Sequence, residues 1–338
     1  MEDLKEFFAT SPALDAWLQK QELAESNSTM PVPRNLRLVN SLELISLSGP
    51  KLYKVYTIPK KNGGRRTIAH PSKMLKAFQR DLSLYLTAVL PVHEAATAYR
   101  TGTSIKKNAS AHSKHSYLLR MDLSSFFNSI DTAIFDEELR RHNIKLNSKD
   151  LKFIHQCAFW SPTKTSTGHL ILSVGAPISP LISNFLMHTF DTIVSDICIQ
   201  KEITYTRYAD DLFFSTNIRD ACFKLPELIH YILKKTYKNK LSINQTKTRF
   251  SSKAHNRHIT GITLTNEDKL SLGRQRKRLI SSMIHRRILN TLNKEDTKRL
   301  QGLLSYANHI EPTFILSMKK KYSESVINSV ISGRWENG

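Results

Sequence analysis

The sequence predicts an α+β protein, because two kinds of segment alternate along it. Three stretches alternate apolar and polar residues on both sides of a turn: "LYKVYTIPKKNGGRRTIAHP" from Leu52, "YTRYADDLFFST" from Tyr205 and "HITGITLTNEDKLSLG" from His258. Period-two alternation around Asn, Asp and Gly marks β-hairpins. Between and after them, at 72–90, 131–158, 219–238 and from Gly273 onward, apolar residues recur at helical spacing.

In order along the chain, residues 1–48 carry helical periodicity broken by "SNSTMPVP" at 26–33. The first hairpin gathers Lys60, Lys61, Arg65 and Arg66 at its turn. Residues 117–123, "YLLRMDL", read as a buried strand ending in a lone Asp122. After Gly175, "APISPLISNFLMHTFDTIVSDICI" reads as one long apolar helix whose first turn tolerates its prolines. The tail is helical and very basic. There is no internal repeat and no low-complexity tract.

The chain has 338 residues and is 40% hydrophobic, enough for two or three substructures around sizeable cores. Fifty Lys and Arg against 29 Asp and Glu leave a formal charge of +21. That excess calls for a polyanionic partner, nucleic acid before a membrane surface, since no run of about 18 apolar residues appears. The acidic opening "MEDLKEFFATSPALDAWLQ" lacks a basic start and apolar centre, so a cytoplasmic protein is expected. Cys157, Cys198 and Cys222 stand far apart, which suggests neither a zinc site nor a disulfide framework.

Asp210 and Asp211 sit side by side between two short strands. On a regular strand they would point to opposite faces, so a tight turn must lie between them if they serve one site. A bare Asp-Asp is also an ordinary polar turn. With Asp122 at another strand end, however, three carboxylates lie in otherwise apolar segments, where a cation is the natural compensation. Such ligands suit Mg²⁺, and two such ions could activate a hydroxyl and stabilise a leaving oxygen. In that reading Asp122 and Asp210 bridge the metals and Asp211 supports them; Mn²⁺ is the expected substitute.

"RYADD" between strands, "RMDLSSFF" upstream and "GAPISPLISN" between them resemble the palm motifs of reverse transcriptases, in the expected order, over residues 50 to 325. "NASAH" at 108–112 and "ITG" at 259–261 resemble two elements of the retron reverse transcriptases, with Ile in place of Val in the second. The resemblance implies a right-hand polymerase: an N-terminal helical segment over 1–48, fingers over 49–116 with part of 132–172, a palm with an antiparallel sheet over 117–262, and a helical thumb over 263–338.

It also implies roles for residues. Asp122, Asp210 and Asp211 would form the metal triad, with the Leu123 carbonyl as a further ligand. Lys60, Lys61 and Arg66 would grip the triphosphate, and Phe127 would be a steric gate against the 2′-hydroxyl of an incoming nucleotide. From the residues alone, Phe127 also fits a core aromatic and the basic turn a solvated one. Ala176 would lie against the nucleotide. Lys247 would protonate the pyrophosphate leaving group. Tyr208 would pack beneath the primer end, with Thr260 and Gly261 in the primer grip. Asn108 and His112 would contact nucleic acid or, equally, serve structure. Arg274, Arg278 and Arg286 would track phosphates along a duplex.

One departure stands out. Many relatives carry glutamine before the glycine that Gly175 matches, and here the residue is Val174, which cannot donate that hydrogen bond. The function implied is copying of a cognate structured noncoding RNA (msr–msd) into DNA. Synthesis would be primed from a guanosine 2′-hydroxyl and consume dNTPs, giving branched RNA–DNA (msDNA) for anti-phage defence alongside a separate effector protein. The alternatives are a group II intron-like maturase, whose relatives usually carry further regions after the thumb, and a non-catalytic RNA scaffold for an effector.

Overall fold

The structure, a computed structural model, describes residues 42–59, 63–165 and 168–332. Of the expected N-terminal helical segment only 42–48 fall among them, and these are helical.

Strands β1 (Tyr53–Pro59) and β2 (Arg65–Pro71) pair antiparallel from Tyr53↔Pro71 to Pro59↔Arg65, as the alternation around the basic turn requires. Helix α1 (Lys73–Val89) begins at Ser72, whose hydroxyl accepts the Leu75 N–H, and buries Leu75, Leu82 and Leu86 along one face. Helix α2 (Ile105–His112) leads into the central strand β3 (Tyr117–Asp122).

The expected helix over 131–158 is two: α3 (Thr132–Arg141) and α4 (Ser148–Ala158). The break is written in asparagines. Asn143 takes a left-handed φ of 54°, and Asn147 caps α4 by accepting the Asp150 N–H at 2.8 Å. Two-residue strands β4 (Phe159–Trp160) and β5 (Ile171–Leu172) follow. The long helix expected after Gly175 is likewise α5 (Ser179–Leu186) and α6 (His188–Gln200), interrupted at Met187, a good helix former that gives no local sign of a break.

Strands β6 (Thr204–Tyr208) and β7 (Asp211–Thr216), helix α7 (Leu225–Tyr237) and strand β8 (Arg249–Ser252) complete the centre. The sheet runs β6-β7-β3-β8, antiparallel throughout. Its two faces belong to two cores. Leu119, Met121, Leu212 and Phe214 pack with α1 and α3–α7, while Leu118 and Phe213, one residue out of phase, join a second core. Burial of each such side chain stabilises the fold by roughly 1.5–3 kcal/mol.

That second core is completed by β9 (Arg257–Ile259), β10 (Ile262–Leu264), β11 (Leu270–Ser271) and four helices: α8 (Arg274–Ile288), α9 (Lys294–Ile310), α10 (Pro312–Tyr322) and α11 (Glu324–Ser332). The expected third hairpin is therefore a three-stranded sheet, β11-β10-β9. The three cysteines are free and buried, and no described helix is long and apolar enough to cross a membrane.

Candidate active site

The candidate carboxylates meet because of strand register. In β3, alternation sends Leu119 and Met121 into the first core and leaves Arg120 and Asp122 on the opposite face. Antiparallel pairing then sets Asp122 directly across from Asp211, the first residue of β7. Asp210 lies in the two-residue turn between β6 and β7. Ala209, before it, has φ +56°, a left-handed conformation that alanine seldom adopts. The Leu123 N–H donates to the Asp210 carbonyl at 2.9 Å, which ties this turn to the strand that carries Asp122. The tight turn that the adjacent carboxylates required is present.

Two cations face this cluster. Lys247 lies in a short 3₁₀ turn (Gln245–Lys247) after Asn244, whose N–H donates to the Asp122 carbonyl at 2.7 Å. The Lys247 Nζ donates to both Asp122 carboxylate oxygens, at 2.8 and 3.0 Å. Arg120 donates through Nε and Nη2 to Asp211 Oδ1, at 3.1 and 2.8 Å. Burial, with the charges of Asp211 and Asp122, raises the Asp210 pKa. Burial raises that of Asp211 too, against the opposing pull of Arg120.

Among the described residues no three acidic, His or Cys side chains converge closely enough to hold a metal ion as they stand. Asp122 is paired with Lys247 and Asp211 with Arg120. The donor set nevertheless fits a hard divalent cation. Three oxygen-donor carboxylates sit at one sheet end, burial first and neighbouring carboxylate charge second raise two of their pKa values, and two of the three already pair with cationic side chains.

The other expected residues are distributed as follows. Phe127 is half-buried in a 3₁₀ turn (Phe126–Ser129) just beyond Asp122, edge-on to Phe126 at 5.4 Å between ring centroids. Arg66 is exposed on β2, whereas Lys60 and Lys61 lie outside the described residues. Ala176 is buried at 3% exposure, so its methyl is not a surface for a nucleotide as expected; only its backbone, after Gly175 at φ +106°, lies next to an exposed position. Tyr208 is half-buried against the second core and pairs with Asp211 across the hairpin. Thr260 and Gly261, at φ +46° and +82°, form the two-residue turn between β9 and β10. Arg274, Arg278 and Arg286 are all exposed on α8.

Asn108 and His112 require correction. Both are fully buried, so their side chains meet no nucleic acid here. They bolt α2 to the central sheet instead. Thr206 Oγ1 donates to Asn108 Oδ1 at 2.6 Å, which commits its only proton. His112 Nε2 therefore donates to Thr206 Oγ1 at 2.7 Å, and the neutral ring accepts from Ser215 Oγ through Nδ1 at 2.6 Å. His115 Nδ1 then donates to Ser215 at 2.7 Å. Burial pushes the His112 pKa down to about 3.

Sequence reasoning missed three residues at the site. Arg120 was findable, since two positions before Asp122 in a strand means the same face. Arg207 reads as an alternating strand residue but is wholly buried. Tyr99 is exposed at φ +60°, and the charges of Asp210 and Tyr208 reinforce the rise that burial gives its phenol pKa. Nothing in its local pattern links it to Asp210, more than a hundred positions downstream.

Comparison with known proteins shows the family. The reverse transcriptase (RNA-dependent DNA polymerase) family model matches residues 58–264, a span that runs from β1 to β10 and includes all three carboxylates and Lys247. The chain is 45% identical over 278 residues to the Retron Ec83 reverse transcriptase of Escherichia coli, covering 82% of this chain and 89% of that one. It is 32% identical to the Retron Ec73 reverse transcriptase of the same organism, covering 83% and 90%. Among solved structures, telomerase from Candida albicans aligns with a TM-score of 0.48 at 12% identity, covering 96% of this chain and 65% of that one, too distant a likeness to bear on function. The chain belongs to the reverse transcriptases and, among them, to the retron reverse transcriptases: it is an RNA-directed DNA polymerase with the right-hand polymerase fold.

Proposed function

We propose that this enzyme copies a cognate structured noncoding RNA, its msr–msd transcript, into DNA starting from a guanosine 2′-hydroxyl, and so makes the branched RNA–DNA of a retron. The observation that carries the reading is the 45% identity to a retron reverse transcriptase over most of both chains, in a protein that keeps its carboxylate cluster and Lys247 in contact. The product serves anti-phage defence together with a separate effector protein.

In this reading Asp122 and Asp210 hold the divalent metal, Mg²⁺ by preference, with Asp211 beside them and the Leu123 backbone against the Asp210 turn. When bound, the metal lowers the pKa of the attacking hydroxyl and offsets charge on the leaving oxygen. In the same reading Lys247, which donates to Asp122 in the free enzyme, gives a proton to departing pyrophosphate once its ammonium leaves that carboxylate. Arg66, with Lys60 and Lys61, grips the triphosphate; Phe127 excludes a 2′-hydroxyl by bulk. The exposed arginines of α8 track the RNA backbone, where A-form geometry rather than base edges is read.

The test is to incubate the purified chain with the noncoding RNA encoded beside its gene, Mg²⁺ and dNTPs. A cDNA joined to that RNA by a 2′,5′ bond, released by debranching enzyme, is expected. Extension of an annealed 3′ primer with no product on that RNA would overturn the retron reading and leave the polymerase intact. Replacing Asp210 and Asp211 by Asn separates catalysis from a scaffold role, because a scaffold would keep its protective effect.

A further inference from the structure

The most elaborate buried polar cluster in the described chain lies directly behind the catalytic turn, and its centre is Arg207. This side chain and its partner Asp191 are both wholly buried. Arg207 Nε donates to Asp191 at 3.0 and 3.1 Å and Nη2 donates at 2.7 Å, while the Tyr205 hydroxyl donates to the same carboxylate at 2.7 Å. The two N–H groups of Nη1 go elsewhere: one to Asn184 Oδ1 at 3.1 Å, the other to the Ala209 carbonyl at 3.2 Å. Asn184 in turn donates to the Ala98 carbonyl at 2.9 Å, beside Tyr99. The Arg207 backbone is also held, its N–H by the Ala95 carbonyl and its carbonyl by the Thr97 amide.

A buried ion pair is a poor way to gain stability, since apolar residues of similar volume often do as well. What an arginine does that they do not is direct several N–H groups in fixed directions at once. Here one of them holds the carbonyl of Ala209, the residue at positive φ immediately before Asp210. The carbonyl of Asp210 itself accepts from Leu123. The peptide groups on both sides of Asp210 are therefore clamped, one by Arg207 of β6, itself anchored on Asn184 of α5 and Asp191 of α6, the other by Leu123, the residue after Asp122.

We propose that Arg207, with Asp191 as its buried counter-ion, is a positioning residue for catalysis: it holds the Ala209 carbonyl and thereby fixes the Asp210 carboxylate for divalent-metal binding without touching substrate. Lysine at 207 could still neutralise Asp191 but lacks the fork that reaches Ala209 as well. Glycine at 209 would adopt the turn with no clamp.

The experiment compares full-length Arg207→Lys, Asp191→Asn and Tyr205→Phe with the parent enzyme, each bound to RNA. It reads Mn²⁺ binding by electron paramagnetic resonance, the metal concentration giving half-maximal incorporation, RNA affinity and the melting temperature. Arg207→Lys should weaken Mn²⁺ binding and raise the half-maximal metal concentration by roughly tenfold, with RNA affinity within about twofold of the parent. Adding Ala209→Gly to Arg207→Lys should recover most of that loss. Asp191→Asn, which keeps the oxygen acceptor and shape, should give a smaller shift in the same direction and carries the test if Arg207→Lys does not fold. Tyr205→Phe removes a hydroxyl from the same cluster without releasing Ala209, so it should lower the melting temperature and leave metal binding unchanged. A folded Arg207→Lys or Asp191→Asn enzyme with parental Mn²⁺ affinity would overturn the proposal. So would a Tyr205→Phe shift as large as that of the Arg207 variant.

Discussion

Replacing His112 by glutamine should change how the stability of this protein depends on pH. The histidine is buried, neutral and held at both ring nitrogens, by Ser215 and Thr206, and its pKa is pushed down to about 3 from an ordinary 6.5. Between those values the unfolded chain binds a proton that the folded chain refuses, so the stability held above pH 6.5 is lost as pH falls towards 3. Integrating that difference from pH 7 to pH 5 gives a loss of about 2 kcal/mol attributable to this one ring. Glutamine is neutral throughout and keeps a donor and an acceptor, so it lacks the term. Its variant should be less stable at pH 7 by roughly 1–3 kcal/mol for imperfectly replaced hydrogen bonds. Urea unfolding of both proteins at pH 7, 6 and 5 is the assay, and the gap between them should shrink by about 2 kcal/mol across the series. His115, which shares Ser215 and has its own pKa lowered by burial and Arg257, is present in both proteins and largely cancels. A gap that stays constant would refute the assignment of His112 as a buried neutral ring.

Other outcomes follow from the site. Lys247→Ala should slow single-turnover nucleotide incorporation by roughly 10²- to 10⁴-fold, with a smaller change in the KM for dNTP; an unchanged rate would remove Lys247 from the chemistry. Phe127→Val should raise incorporation of ribonucleotides relative to deoxynucleotides by roughly 10- to 100-fold, read by competition between rNTP and dNTP on one template. Changing Arg274, Arg278 and Arg286 together to Gln should lower the slope of log Kd for RNA against log salt by about 2, and an unaltered slope would place the phosphate contacts elsewhere.

What was legible in the sequence is what local pattern encodes. The hairpin at Ala209–Asp210, the strand ending at Asp122 and the basic helices after Gly273 each announce themselves through periodicity and turn residues, and the structure has them there. The asparagine-marked break between α3 and α4 was equally available, since Asn143 and Asn147 are residues that end and begin helices. The break at Met187 was not, because methionine is a good helix former and no capping residue marks it. The motif containing Asn108 and His112 was visible, but its direction was not: whether a polar side chain at helical spacing faces solvent or a sheet depends on what packs against it, here Thr206 and Ser215 about a hundred positions away.

The same limit explains why the carboxylates were found and their supports were not. Asp122 and Asp211 meet through a ladder in which each residue's place follows from its neighbours, so finding one strand end helps to find the other. Arg207 meets Asp191, Asn184 and Ala209 through a side chain that crosses from a strand to two helices, and no periodicity specifies that crossing. In "RYADD" the first residue therefore reads as an ordinary strand position, although it is the one that reaches past the tyrosine to hold the turn. In the proposed function the chemistry lies at the turn of the hairpin, where half-buried Asp210 needs room for substrate. The groups that fix its direction must then come from behind, where burial removes competing water and an arginine can be kept only by a carboxylate as buried as itself.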